Sequence, residues 1–380
     1  MTTVGRRRTA AAAVTLMAVS LVVGCHGARE SDVNPGPSAR PFVPRVELWV
    51  SPSGSDSNPG TNLRPLRQVR RAAALARAGT LVHVAAGTYA PVITSRSGMA
   101  AAPIVFRSEL RWQAAVKAGG GTSAWTNTAD WVSIEGFDLS GASYNGILST
   151  GSHGRFTGNH VHDVRSPDCS RGGAGIVVES YVAVDNVAAD NVVEHVVAPG
   201  GCGRVHGIYF QSPDGGRIVN NLVAFCSGWG IHLWHNASRI TIANNTVVHN
   251  ARGGIAVGGS LEGNDLRPGI ASGVVVINDI VVDNGQVGIS ETGRVGKNTV
   301  AENLSHGNAL ADYRLANDRQ PDQAVTGDPQ FLDAQGDYRL RYGSPALDVG
   351  DPAEAPPQDL EGTPRPQGPG VDLGAYEGAH

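Results

Sequence analysis

From about residue 130 onward, apolar and polar residues alternate over short stretches, each closed by glycine or asparagine. Six such stretches align: Gly158-Asn159-His160-Val161, Asp190-Asn191-Val192-Val193, Asn220-Asn221-Leu222-Val223, Asn244-Asn245-Thr246-Val247, Asn278-Asp279-Ile280-Val281 and Glu302-Asn303-Leu304-Ser305. Successive members lie 32, 30, 24, 34 and 24 residues apart. A second element alternates with the first at Gly146-Ile147, Gly175-Ile176, Gly207-Ile208, Gly230-Ile231, Gly254-Ile255 and Gly288-Ile289. Short, β-branched, period-two segments at a recurring interval predict several strands per repeat and a solenoid built by stacking the repeats.

Asparagine suits the corners of such a coil because it tolerates left-handed backbone and its amide both donates and accepts hydrogen bonds. Stacked at the strand spacing of ~4.8 Å, the amides at Asn159, Asn191, Asn221, Asn245 and Asn303 can form a buried ladder. Asp279 is its weak rung, since an ionised carboxylate has no donor. Val161, Val193, Val223, Val247 and Val281 then point inward. The pattern predicts an all-β, right-handed parallel β-helix; leucine-rich, propeller and hexapeptide repeats each lack their signature here. A solenoid must cover its end coils. An amphipathic stretch from Leu66 to Ala78, with Leu66, Val69, Ala73 and Leu75 apolar, predicts a short N-terminal capping helix. The asparagine period stops near residue 310, and 327–380 reads as an irregular C-terminal cap.

Composition narrows the picture. The 380 residues are 41% hydrophobic and 17% charged, enough apolar content for a large core, and 50 glycines with 6% aromatics disfavour a helical bundle. A net charge of -4 with only two lysines, Lys117 and Lys297, gives no footprint for nucleic acid. Residues 1–25 read as an export signal with a basic Arg6-Arg7-Arg8 and an apolar stretch from Ala10 to Val23, ending in a lipobox-like Leu21-Val22-Val23-Gly24-Cys25. Cys25 is the expected lipidation site, 26–45 a flexible tether and 46–380 the β-helix domain, anchored to the membrane at a bacterial cell surface or secreted, and monomeric. In an oxidising compartment Cys169 and Cys202, at equivalent points of neighbouring repeats, are the expected disulfide, with Cys202–Cys226 the alternative.

Val50-Ser51-Pro52-Ser53-Gly54-Ser55-Asp56-Ser57-Asn58-Pro59-Gly60-Thr61 and Val84-Ala85-Ala86-Gly87-Thr88-Tyr89 resemble the N-terminal section of pectate-lyase-like β-helix proteins, including the family nine polysaccharide lyases. Asp372-Leu373-Gly374-Ala375-Tyr376-Glu377 is similar to a C-terminal motif of secreted members. The resemblance covers most of 48–378 and implies the fold; its superfamily includes lyases, hydrolases, epimerases and adhesins. For family nine it implies a lysine base and an aspartate-rich calcium site. Neither lysine falls in the polar coils and no aspartate cluster stands in register, so calcium has no clear site and no metal ligands are assigned.

Chemistry is expected beside the long insertions at 164–174 and 196–206. The Gly-Ile strands present outward a column Val177, Tyr209, His232, Ala256 and a second column Glu179, Gln211, Trp234, Gly258. Chemistry on a uronate needs a cation for the carboxylate, a base for the C5 proton and an acid for the leaving oxygen. Arg171 fits the first role, His206 or His232 the second and Tyr209 the third, with Glu179, Gln211 and Trp234 as further substrate contacts. Hydrolysis needs two carboxylates, and Glu179 with Asp214 or Glu194 is the available pair. A secondary cluster joins His162 to Glu194 and Asp163 to His195; its bland reading is surface ion pairs that set register. The expectation is a polysaccharide lyase or epimerase acting on a uronate-containing glycan, the alternatives being a non-catalytic polysaccharide-binding or adhesive β-helix and a glycoside hydrolase.

Overall fold

The computed structural model describes residues 42–211, 214–259 and 269–378; the signal segment, Cys25 and nearly all of the tether lie outside them. Among the described residues, each coil contributes one strand to each of three parallel sheets of ten, nine and nine strands. In the coil that follows the first asparagine of the ladder, the strands are His160–Arg165 in the second sheet, Gly173–Val178 in the third and Val184–Ala189 in the first. Pairing is in register throughout: Val161, Val193, Val223, Val247 and Val281 stack in the second sheet, and Ile147, Ile176, Ile208, Ile231, Ile255 and Ile289 in the third. All of them are fully buried, so the inward face of every coil is a continuous column of branched side chains. The glycine before each isoleucine is required there, because an added Cβ at Gly207 would fall 2.3 Å from the Val223 side chain.

The asparagine ladder forms between the first and second sheets. The side-chain amide of Asn159 donates to Asn191 Oδ1 (3.1 Å), Asn191 to Asn221 (2.9 Å), Asn221 to Asn245 (2.9 Å) and Asn245 to Asp279 Oδ1 (2.8 Å). A second ladder, Asn250–Asn284–Asn308, stands between the second and third sheets. Its members follow Asn245, Asp279 and Asn303 by five residues, a signal present in the sequence but masked in the earlier coils, where Val164, Val196 and Cys226 occupy the equivalent place.

Asp279 behaves as the weak rung. Its Oδ1 accepts two bonds from Asn245, but Oδ2 is buried with no partner, and burial raises the carboxyl from 3.8 to about 7. A raised folded value means that the folded chain holds this proton more tightly than the unfolded one. The stabilisation is therefore whole below about pH 4 and is lost as pH rises through about 7. Asp279→Asn restores the missing donor without a charge, and should stabilise the domain by on the order of 3 kcal/mol at about pH 8, with the gain shrinking towards pH 4. Urea unfolding at the two pH values checks this; a variant no more stable than wild type at the higher pH contradicts it.

The ends are closed as the pattern predicts, with one shift and one extension. The helix Val69–Leu75 buries Val69, Ala72 and Ala73 over the first coils, and Leu75 is exposed, so the packed stripe runs through Ala72 and Ala76 instead. Beyond residue 326 the irregular C-terminal cap folds back along the outer face of the second sheet. There Phe331, Tyr338, Leu360, Leu373 and Ala375 cover the outward Leu222, Val248, Ile280, Val282 and Leu304. The cap is latched by the residues that precede the ladder: Asn220, Asn244 and Asn278 donate to the carbonyls of Gln358, Asp372 and Asp351. Cys169 and Cys202 are disulfide-bonded, and Cys226 is a buried thiol.

Candidate functional site

The strands Gly173–Val178, Val205–Phe210, Trp229–Leu233 and Gly253–Gly258 place Val177, Tyr209, His232 and Ala256 side by side on the outer face of the third sheet. The turns that precede the first two of these strands hold Arg171 and the Cys169–Cys202 bridge, which ties the two insertions together along one edge. Arg171, Glu179, Tyr209 and Gln211 line a single cavity of about 140 Å³ together with Tyr144 and Asn145. The Arg171 guanidinium lies 4.3 Å from the centre of the Tyr144 ring, which orients the cation while leaving its donors available. Four substrate-contact or catalytic residues expected from the sequence thus meet in one place.

The aromatic column continues from this cavity. Tyr209 and His232 stack at 5.0 Å and 15°, and Trp234 follows 5.5 Å from His232. Trp234 lies flat on the sheet because position 258 is glycine: a Cβ there would sit 2.3 Å from the indole. A half-buried indole pressed against backbone presents its other face outward, the arrangement that stacks on the apolar face of a sugar ring.

His206 does not take the role expected for it. It is 5% exposed, and its Nδ1 accepts the Trp229 backbone N–H at 3.1 Å. Nε2 must then carry the hydrogen, which it donates to His232 Nδ1 at 3.1 Å. Burial first, then Arg252 and Arg204, lowers His206 to about 3. Burial, then His206 and Arg252, also drives His232 well below its ordinary value. The pair is therefore neutral. His206 is a positioning residue that leaves His232 with its proton on Nε2, as a hydrogen-bond donor and not a base. The buried bond also means that His232→Ala would leave a donor unpaired and cost about 1–3 kcal/mol, so that substitution does not separate function from folding.

The secondary cluster lies on a different sheet. His162 and Glu194 are in register on the second sheet, yet their hydrogen bonds run elsewhere. His160 Nε2 meets Glu194 at 2.9 Å, His162 Nε2 meets Asp138 at 2.9 Å, and His162 Nδ1 meets Asp163 at 3.0 Å. His195 stacks on Phe225 and has Glu194 as its carboxylate neighbour, at 3.8 Å, and among the described residues the expected Asp163–His195 pair does not form. Despite the opposing effect of burial, hydrogen bonds to Asp138 and Glu194 raise His160 to about 9, and the bond to Asp138 raises His162. Asp138 was not legible as a member because its coil precedes the first asparagine, with Phe137 in the ladder position; its register with His160 is the signal that finds it. The carboxylate pairs for hydrolysis do not converge either. Glu194 faces out from the second sheet, and Asp214, on the first, is bonded to Arg239.

The sequence model for the right-handed β-helix region matches residues 105–268. A crystal structure of pectate lyase Pel9A superposes with a TM-score of 0.55 at 18% identity, covering 89% of this chain and 97% of that one. The fold is a right-handed parallel β-helix, similar to that of pectate lyase Pel9A. A rhamnogalacturonan lyase structure is similar to this β-helix with a TM-score of 0.56 at 16% identity, over 82% and 95% of the two chains. In sequence, 71 residues of this chain are 38% identical to pectate lyase PEL9 of Emericella nidulans, which is 18% of this chain and 17% of the relative. The chain thus matches less than a fifth of that relative's length, and at these identities the structural likeness establishes the fold.

Proposed function

We propose that this β-helix is exported, held at the cell surface through Cys25, and acts on a uronate-containing polysaccharide lying along the outer face of its third sheet, as a lyase or epimerase. The observation that carries the reading is the convergence of Arg171, Glu179, Tyr209 and Gln211 in one cavity that runs on into His232 and Trp234. Elimination and epimerisation of a uronate share a first step, removal of the C5 proton, which is acidic only if the neighbouring carboxylate is neutralised. Arg171 supplies that charge as a two-pronged donor. With both imidazoles locked, the Glu179 carboxylate is the basic group in the cavity lining and takes the proton, and the Tyr209 hydroxyl returns one to the leaving oxygen. The His232 Nε2–H and the Gln211 amide bond to sugar hydroxyls, and Trp234 stacks on the adjoining ring. The lyase names borne by the similar proteins are consistent with this chemistry.

A non-catalytic glycan-binding reading is favoured by one observation, that the His206–His232 pair is held neutral and supplies only donors. Incubation of the purified chain with a panel of uronans separates the readings. Elimination is read from ultraviolet absorbance of unsaturated chain ends and epimerisation from solvent deuterium incorporated at C5. One of these signals is expected; binding with neither supports the adhesive reading, and absence of binding and turnover alike contradicts the proposal.

A further inference from the structure

We propose that Asp138, His160 and His162, on the outer face of the second sheet, form a binding site for a divalent transition cation of the zinc class. Three observations combine. First, the fold brings the ligands together from adjacent coils: His160 and His162 are two apart on one strand and so share a face, and Asp138 is the register partner of His160 in the preceding coil. One donor atom from each lies within 4.8 Å of the others.

Second, both imidazoles aim one nitrogen at the same oxygen. His162 Nε2 is 2.9 Å and His160 Nδ1 3.6 Å from Asp138 Oδ2. Ligands held ~2.0–2.1 Å from a tetrahedral zinc lie roughly 3.4 Å apart, between these two values.

Third, each ring donates its remaining N–H to a carboxylate of its own. His162 Nδ1 is 3.0 Å from Asp163, and His160 Nε2 is 2.9 Å from Glu194, which comes from the following coil. Metal-bound histidines are held in this manner, because the outer carboxylate fixes the ring and raises its basicity. Asp163 adopts a left-handed backbone (φ 51°) and is itself paired with Arg165 at 2.7 Å, so the outer shell is anchored in turn. Two imidazoles and one carboxylate favour zinc, copper or nickel over calcium or magnesium, which prefer all-oxygen shells. Three protein ligands leave a further coordination position open. The side chains there are 18–24% exposed, enough for a cation to enter.

The same atoms in the absence of metal make a network of ion pairs, and the experiment must tell the two apart. The purified full chain, stripped with a chelator, is dialysed against Zn²⁺ alone at neutral pH and its bound metal counted, with Co²⁺ used in parallel for its visible absorption. The expected result is one equivalent of zinc, with cobalt bands typical of nitrogen ligation, both lost in the His160→Ala/His162→Ala double variant and neither displaced by equimolar Ca²⁺. Asp163→Asn is expected to weaken binding by roughly tenfold or more while keeping the stoichiometry. No bound equivalent in the wild type, a full equivalent kept by the double variant, or displacement by Ca²⁺ each overturns the proposal. Should the double variant fail to fold, the cobalt spectrum of the wild type decides alone: bands without nitrogen character overturn it.

Discussion

Replacement of Arg171 by alanine is expected to lower turnover of a uronan by about two to three orders of magnitude while leaving the unfolding transition nearly unchanged. The guanidinium is exposed, and its described contact is with the Tyr144 ring, an interaction worth about 0.5–1 kcal/mol at an exposed site. Its weight falls on the transition state, where negative charge builds on the uronate carboxylate. Arg171→Lys keeps the charge without the planar two-pronged geometry and should recover only part of the loss. Measuring kcat and KM separately checks the assignment: a fall in kcat places Arg171 at the developing charge, and unchanged turnover in Arg171→Ala removes it from the site.

The largest expected effect on stability is at the opposite end of the chain. Arg365 and Glu377 are 1% and 0% exposed and form a 2.7 Å pair. Arg365 also donates to the carbonyls of Asp372 and Gly374 and to Asn220 Oδ1, while Glu377 accepts from the backbone of Gln367 and Asp372. Burial pushes Glu377 up and Arg365 down, so the pair persists against a desolvation cost that this set of bonds offsets. Arg365→Ala strands a buried carboxylate and should destabilise the domain by about 3–5 kcal/mol, whereas removing both charges with Arg365→Met/Glu377→Leu should cost distinctly less. Because the clamp holds the cap on the second sheet, faster hydrogen exchange is expected across Leu222–Ala224 and Thr246–Val248 in the single variant. A loss below about 1 kcal/mol would show that the cap is held by its apolar contacts instead.

What the chain shows in one dimension is what repeats. The asparagine ladder, the inward valines, the stacked isoleucines and the Cys169–Cys202 pair were all legible because a residue and its neighbour one coil away occupy the same place in the period. The third-sheet columns were legible for the same reason, and Arg171, Glu179, Tyr209 and Gln211 do share a cavity.

The failures are local. His206 reads as a reactive imidazole until its depth and its bond to Trp229 are known, since its register partner one coil earlier is Ala174 and no histidine repeats at that place. The crossing of bonds among His160, His162, Asp138 and Glu194 depends on side-chain reach, so register alone paired the wrong atoms. The path of the cap has no period at all. It is hinted only by leucine and isoleucine at the outward positions Leu222 and Ile280, which would be costly if left to solvent.

The central claim is that glycan is held on the third sheet and not on the histidine-rich second sheet. Calorimetric titration of an oligo-uronide into the wild type, into Arg171→Ala/Trp234→Ala and into His160→Ala/His162→Ala tests it most directly. We expect loss of binding in the first double variant and near wild-type affinity in the second. Binding kept by the first and lost by the second would contradict the account.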